Sequence, residues 1–250
     1  RAPHFARRLD DDVASLLDRS PEMTGAEMAA SLVPPRQFES ATLESYRPDP
    51  DFPSQAEAVQ QMRAFAEALT GGGGRGLFGR RKGPDAKPGI YLDGGFGVGK
   101  TLRLASLWHE AAGPKMYCTF VELTNLVGAL GLRTAVEVLS SYRLICIDEF
   151  ELDDPGDTML ISRLLGQLVE AGVELAATSN TLPDKLGEGR FQAVDFLREI
   201  QSLAARFDVR RVDGPDYRHR GLPVAPDPWP DEKVEQEAAL DGIYILRTPL

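Results

Sequence analysis

From Gly89 onward, short apolar runs alternate with segments whose apolar residues recur three and four positions apart. That alternation predicts a parallel sheet covered by helices. Five runs read as strands: Ile90 to Asp93, Met116 to Val121, Leu144 to Asp148, Val173 to Thr178 and Phe207 to Val212. Three helices lie between them: Thr101 to Ala112 closed by Gly113-Pro114, Asp157 to Ala171 closed by Gly172, and Gln192 to Ala205. Upstream, Ser54 is placed to cap a helix, with Glu57 reaching back and Val59, Met62, Phe65, Ala66 and Leu69 on one face. The glycine run Gly71 to Gly74 ends that helix. Earlier still, Asp10 to Arg19 reads as helical, and Thr24 with Glu27 forms a capping box for another helix. A last helical stretch is expected near Glu232 to Leu240, beyond a Pro-rich, acidic shift after Asp213.

Composition narrows the class. With 250 residues, 42% of them hydrophobic, the chain can bury one sizeable core. A formal net charge of −10 disfavours a nucleic acid partner, because a broad polyanion-binding surface needs the opposite sign. The basic residues Arg75, Arg80, Arg81 and Lys82 sit in a Gly-rich segment that reads as a solvated loop. Cys118 and Cys146 lie inside apolar runs and read as buried thiols, with no disulfide framework or zinc site. No apolar run reaches the roughly 18 residues a membrane span requires, and Arg1-Ala2-Pro3-His4 lacks an apolar leader. These features lead us to expect a cytoplasmic protein, peripheral to a membrane at most. The start at Arg1 and the stop at Thr248-Pro249-Leu250 suggest a piece of a longer protein.

The chemistry concentrates at Gly94-Gly95-Phe96-Gly97-Val98-Gly99-Lys100-Thr101, which matches G-x-x-x-x-G-K-[ST] between a strand and a helix. Backbone N–H groups of Gly95 to Leu102 are placed to meet a phosphate chain, aided by the positive end of the helix. Lys100 would bridge the β- and γ-phosphates of ATP, and Thr101 would give its hydroxyl to Mg²⁺. Leu144-Ile145-Cys146-Ile147 followed by Asp148-Glu149 supplies the carboxylates such a loop needs. Asp148 would hold the metal through water, and Glu149 would orient the attacking water. The fourth strand ends in Thr178-Ser179-Asn180, which brings an amide toward the γ-phosphate, and Arg190 precedes the next helix. Arg190 could reach a neighbouring subunit's nucleotide or simply lie on the surface.

Taken in order, Leu144 to Phe150, Asp153-Asp154-x-x-Asp157, Ala177 to Asn180 with Pro183-Asp184-x-Leu186, Arg190-Phe191 and Asp216-Tyr217-Arg218 resemble the AAA+ family of AFG1-like ATPases and the division protein ZapE. Phe38-x-x-Ala41, Tyr46 to Pro50 and Ser54-Gln55 resemble that family's entry to the ATPase core, so the likeness spans roughly residues 34–222. The resemblance implies an α/β P-loop fold of AAA+ type with strand order 5-1-4-3-2. It also implies ATP hydrolysis and homo-oligomers with nucleotide at subunit interfaces. Asn180 takes the place of the family's sensor 1, and Arg218 is carried over as a nucleotide-binding arginine. Remodelling of a protein partner, in bacteria the Z-ring protein FtsZ, is the implied function. A helicase-loader-type ATPase and a nucleotide-gated adaptor with little turnover are the alternatives. The expected organisation is an N-terminal appendage over 1–53, an ATPase core over 54–222, and a C-terminal extension or reduced lid over 223–250. The family's second strand often reads His-x-His-x-Phe-Met, where this chain has Tyr117-Cys118-Thr119-Phe120-Val121-Glu122. A role of those histidines therefore does not transfer.

Overall fold

The computed structural model describes residues 23–70, 87–190 and 192–216, with a few positions between 230 and 236. Five strands form one parallel sheet: β1 (Gly89–Gly94), β2 (Lys115–Thr119), β3 (Leu144–Asp148), β4 (Glu174–Ser179) and β5 (Phe207–Val212). Their order is β2-β3-β4-β1-β5, the same order that the resemblance implied, counted from the other edge. The helices are α1 (Gly25–Ala30), α2 (Pro53–Thr70), α3 (Lys100–Glu110), α4 (Phe120–Leu130), α5 (Leu132–Leu139), α6 (Pro155–Glu170) and α7 (Leu197–Ala204).

Alternate residues of each strand serve two separate cores, which is why the central strands are apolar throughout. On one face Ile90, Leu92, Tyr117, Cys146 and Ala176 pack with Val59 and Met62 of α2 and Leu104 and Leu107 of α3. On the other, Tyr91, Cys118, Ile145, Ile147 and Ala177 pack with Leu123 and Leu126 of α4, Leu164 and Leu168 of α6, and Leu203 of α7. Asp148 shares the parity of Cys146, so its carboxylate falls on the side of α3.

Several expected boundaries shift, each for a local reason. Helix α2 begins at Pro53, and the Ser54 hydroxyl, expected to cap it, instead accepts the backbone N–H of Asp213 at 3.0 Å. Strand β2 stops at Thr119, because Thr119 and Glu122 form a capping box that turns Phe120 and Val121 into α4. Helices α4 and α5 were not foreseen. Helix α6 starts at Pro155 rather than Asp157, since Asp154 caps it by accepting from Gly156 and Asp157. Only Leu197–Ala204 of the expected Gln192 to Ala205 is α-helical, and a tight turn over Ala193–Phe196 precedes it. The capping box at Thr24 and Glu27 is present as read. The expected helix at Asp10 to Arg19 lies outside the described residues.

Contacts divide the chain into two compact units, Arg1–Tyr217 and Arg218–Leu250. In the second, the residues described as helical are Glu232, Lys233, Val234 and Gln236, within the stretch expected near Glu232 to Leu240. Among the described residues no helix is long and apolar enough to cross a membrane. Cys118 and Cys146 are free and buried.

Candidate active site

The phosphate loop joins the end of β1 to the start of α3. Gly97 and Gly99 hold positive φ of 70° and 86°, a region that side chains with a Cβ rarely adopt. Both are crowded as well: a Cβ on Gly99 would lie 2.9 Å from Cε2 of Tyr46, and one on Gly97 would run into the Asp216 carboxylate. Val98 is buried, and its carbonyl accepts from Arg103 Nη1 at 3.1 Å and from the Tyr46 hydroxyl at 3.4 Å. Turning that carbonyl into the protein fixes the loop from behind. Arg103 is fully buried, with its guanidinium 3.6 Å from the centroid of the Tyr46 ring. Tyr46 also donates to Gln55 Oε1 at 2.6 Å, and Gln55 Nε2 donates to the Asp213 carbonyl at 2.7 Å. The segment before α2 and the segment after β5 are thereby tied together behind the loop.

Lys100, at the first position of α3, directs Nζ to the carbonyls of Gly94 (2.9 Å) and Gly95 (2.7 Å) and to Asn180 Oδ1 (2.9 Å). Burial lowers the pKa of its ammonium, and the carboxylates of Asp93 and Asp148 oppose that shift. Thr101 donates to Asp148 Oδ1 at 3.2 Å. Asp148 also accepts from Thr178 Oγ1 and, on Oδ2, from the Tyr117 hydroxyl at 2.8 Å. Burial first, and the adjacent Asp148 charge second, push the Tyr117 phenol far above its ordinary pKa, so it stays a protonated donor. Hydroxyl and carboxylate oxygens are the ligands Mg²⁺ prefers, and the Thr101 and Asp148 pair fits that ion. Among the described residues no cluster of three or more His, Cys, Asp or Glu could hold a metal alone.

Glu149 follows on an unusual backbone. Its φ is 54°, the one positive value outside glycine among the described residues. Its neighbours explain the conformation: Asp148 is buried toward α3, whereas Phe150 is buried on the opposite face. There Phe150 meets Phe120, Tyr91 and Phe207 edge-on at 5.1 to 6.3 Å, and its N–H bonds to the Thr178 carbonyl at 2.7 Å. The chain must turn sharply between them. The Glu149 side chain is left exposed at the end of β3, while its N–H donates to Thr178 Oγ1 at 3.2 Å.

The sequence-derived residues thus gather where the strands end. Lys100, Thr101, Asp148 and Asn180 converge at the loop, Glu149 follows Asp148 at the end of β3, and Leu102 packs against the core. Phe96 projects outward, 77% exposed. Arg190 pairs with Asp153 and with Glu151 (3.6 Å) of its own chain and keeps 46% of its side chain exposed. Arg218 lies outside the described residues. Reasoning from sequence missed three groups. Tyr117 and Thr178 hold Asp148, and Glu151 binds Ser179 Oγ (2.6 Å), Asn180 N–H (3.2 Å) and Thr181 Oγ1 (2.9 Å) as well as Arg190. Glu151 therefore links the exposed arginine to the turn that carries Asn180. Only its position three residues after Asp148 hinted at a role.

The profile of the AFG1-like ATPase family matches residues 24–245. The cell division protein ZapE of Escherichia coli K12 is 32% identical over 166 residues, covering 60% of this chain and 44% of ZapE. Lactation elevated protein 1 homolog B of Danio rerio is 34% identical over 92 residues, 36% of this chain and 18% of that protein. The matched part spans less than half the length of these relatives. Among solved structures, DnaI superposes with a TM-score of 0.58 at 19% identity, over 75% of this chain and 98% of that one. Domain III of the Thermotoga maritima replication initiation protein DnaA gives 0.54 at 18%, over 83% of this chain and 77% of that one. At such identities the likeness is one of fold, the P-loop AAA+ fold.

Proposed function

The chain belongs to the AFG1-like ATPase family, and from that premise we propose that it binds Mg-ATP at this site and hydrolyses it to drive remodelling of a protein partner. The observation that carries the reading is the convergence of Lys100, Thr101, Asp148 and Asn180 on one loop, with Glu149 exposed at the position after Asp148. Backbone N–H groups of the loop and the N-terminus of α3 bind the phosphates. Lys100 exchanges its carbonyl contacts for phosphate oxygens, and Asn180 keeps it aimed. Thr101 and Asp148 would hold magnesium, which when bound would supply positive charge against the negative charge of the transferred phosphoryl group. Glu149 accepts a hydrogen bond from water and turns it toward the γ-phosphorus.

Interfacial nucleotide sites in a homo-oligomer, a cytoplasmic location and a protein substrate complete the proposal. Identity to ZapE supports a division-related partner, with FtsZ as the specific candidate. The test combines two variants. Lys100→Ala should abolish ATP affinity, whereas Glu149→Gln should keep it and slow hydrolysis roughly 10²-fold or more. Unchanged turnover in Glu149→Gln would remove that residue from the chemistry. With ATP bound, the same variant should retain its partner in a pull-down. Recovery of single-stranded DNA with a steep salt dependence would instead favour the helicase-loader reading.

A further inference from the structure

The Tyr117 hydroxyl touches the carboxylate at the centre of the proposed site. A carboxylate offers about four acceptor positions. Three of those on Asp148 are filled, two on Oδ1 by Thr101 and Thr178 and one on Oδ2 by Tyr117. The Tyr117 ring is 1% exposed and packed among Leu104, Leu107, Leu144 and Cys146, so its hydroxyl has a fixed location. Strand β2 carries it beside β3, with Tyr117 in register with Cys146.

Three elements therefore meet at Asp148: α3 through Thr101, β4 through Thr178 and β2 through Tyr117. Thr101 could offer a lone pair of its hydroxyl oxygen to a metal and still donate its proton to Oδ1. Thr101 and Thr178 then both grip Oδ1 and Tyr117 alone grips Oδ2, which together fix the carboxylate plane. Without the phenol, the group is held through Oδ1 alone and can rotate about its Cβ–Cγ bond. We propose that Tyr117 is the positioning residue for the metal-binding carboxylate, its hydroxyl fixing Asp148 Oδ2 so that the remaining lone pair meets the hydrated ion. This rests on the reading of Asp148 as a magnesium ligand. A buried phenol also needs a partner for its own sake, and Asp148 would satisfy that need with no consequence for metal binding.

Metal dependence separates the two roles. The full chain and its Tyr117→Phe and Tyr117→His variants are titrated with ATP by calorimetry, once in magnesium chloride and once in EDTA. Mn²⁺ binding in the presence of ADP is followed by electron paramagnetic resonance. Circular dichroism melts report whether each variant is folded. The expected result is unchanged ATP affinity in EDTA for Tyr117→Phe, with the gain due to metal and the Mn²⁺ affinity both reduced about tenfold. Tyr117→His, which keeps an N–H donor on a buried ring, should recover part of that loss. Wild-type Mn²⁺ affinity in a folded Tyr117→Phe protein, whatever its melting temperature, would overturn the role of Tyr117 alone. Absence of any metal-dependent gain in the unaltered protein would overturn the reading of Asp148 and this one with it.

Discussion

Glu149 occupies a backbone region that costs a residue with a Cβ about 1–2 kcal/mol, and it does so at the position where the proposed hydrolysis would use a carboxylate. Burial of Asp148 on one face and Phe150 on the other imposes that conformation. Glycine at this position would relieve the strain, offset in part by about 0.4–1 kcal/mol of extra freedom in the unfolded chain. Glu149→Gly is therefore expected to raise the melting temperature by about 1–2 °C while turnover is lost. A calorimetric melt beside an ATPase assay checks both halves, and a lower melting temperature would mean that the carboxylate itself stabilises the fold. The converse holds at Gly99, whose φ of 86° and closeness to Tyr46 leave no room for a Cβ. Gly99→Ala should displace Tyr46 or the loop and weaken ATP binding. Denaturant unfolding should also show a loss of more than about 1 kcal/mol.

At the level of elements, the sequence was legible where one signal acted alone. Strands β3 and β5 span the residues expected of them, Leu144–Asp148 and Phe207–Val212, and α2 buries Val59, Met62, Ala66 and Leu69 as its spacing required. The error at β2 arose where two signals overlap. Met116 to Val121 is apolar enough to read as one strand, but the Thr119 hydroxyl and the Glu122 carboxylate satisfy the first free N–H groups of a helix. That reciprocal bond won over β propensity. Thr119→Ala should therefore cost about 1 kcal/mol of stability, read from denaturant midpoints at unchanged slope. A negligible change would assign the break to packing of Phe120 against Phe150 instead. The phosphate loop and the Asp148-Glu149 pair were legible because their contacts follow from local sequence. Tyr117, Thr178 and Glu151 were not, because each acts on a residue about thirty positions away, at a distance that only the folded sheet closes.

For the molecule as a whole, the proposed interfacial site makes Arg190 the residue on which communication between subunits would turn. Its guanidinium pairs with Asp153 and Glu151 of its own chain, yet both it and Asp153 are largely exposed. Exposed ion pairs contribute about 0–1 kcal/mol, so this arrangement yields easily to a stronger anion. A neighbouring subunit's γ-phosphate is such an anion, and an arginine supplied across an interface can change rates by roughly 10³-fold or more. Glu151 binds the turn around Asn180, and Asn180 holds Lys100. Withdrawal of Arg190 toward a neighbour would therefore free Glu151 and loosen the grip on the lysine of its own site. Arg190→Ala is expected to suppress ATPase activity while leaving ATP affinity intact. Mixing it with Glu149→Gln should restore part of the activity, because an assembled pair can then place one intact arginine beside one intact Glu149 carboxylate. Glu151→Gln should behave differently: it weakens both the arginine pair and the turn within one chain, so mixing should not rescue it. Activity assays over a range of mixing ratios distinguish these cases. Failure of Arg190→Ala to be rescued would confine that residue to the ion pair it makes at home.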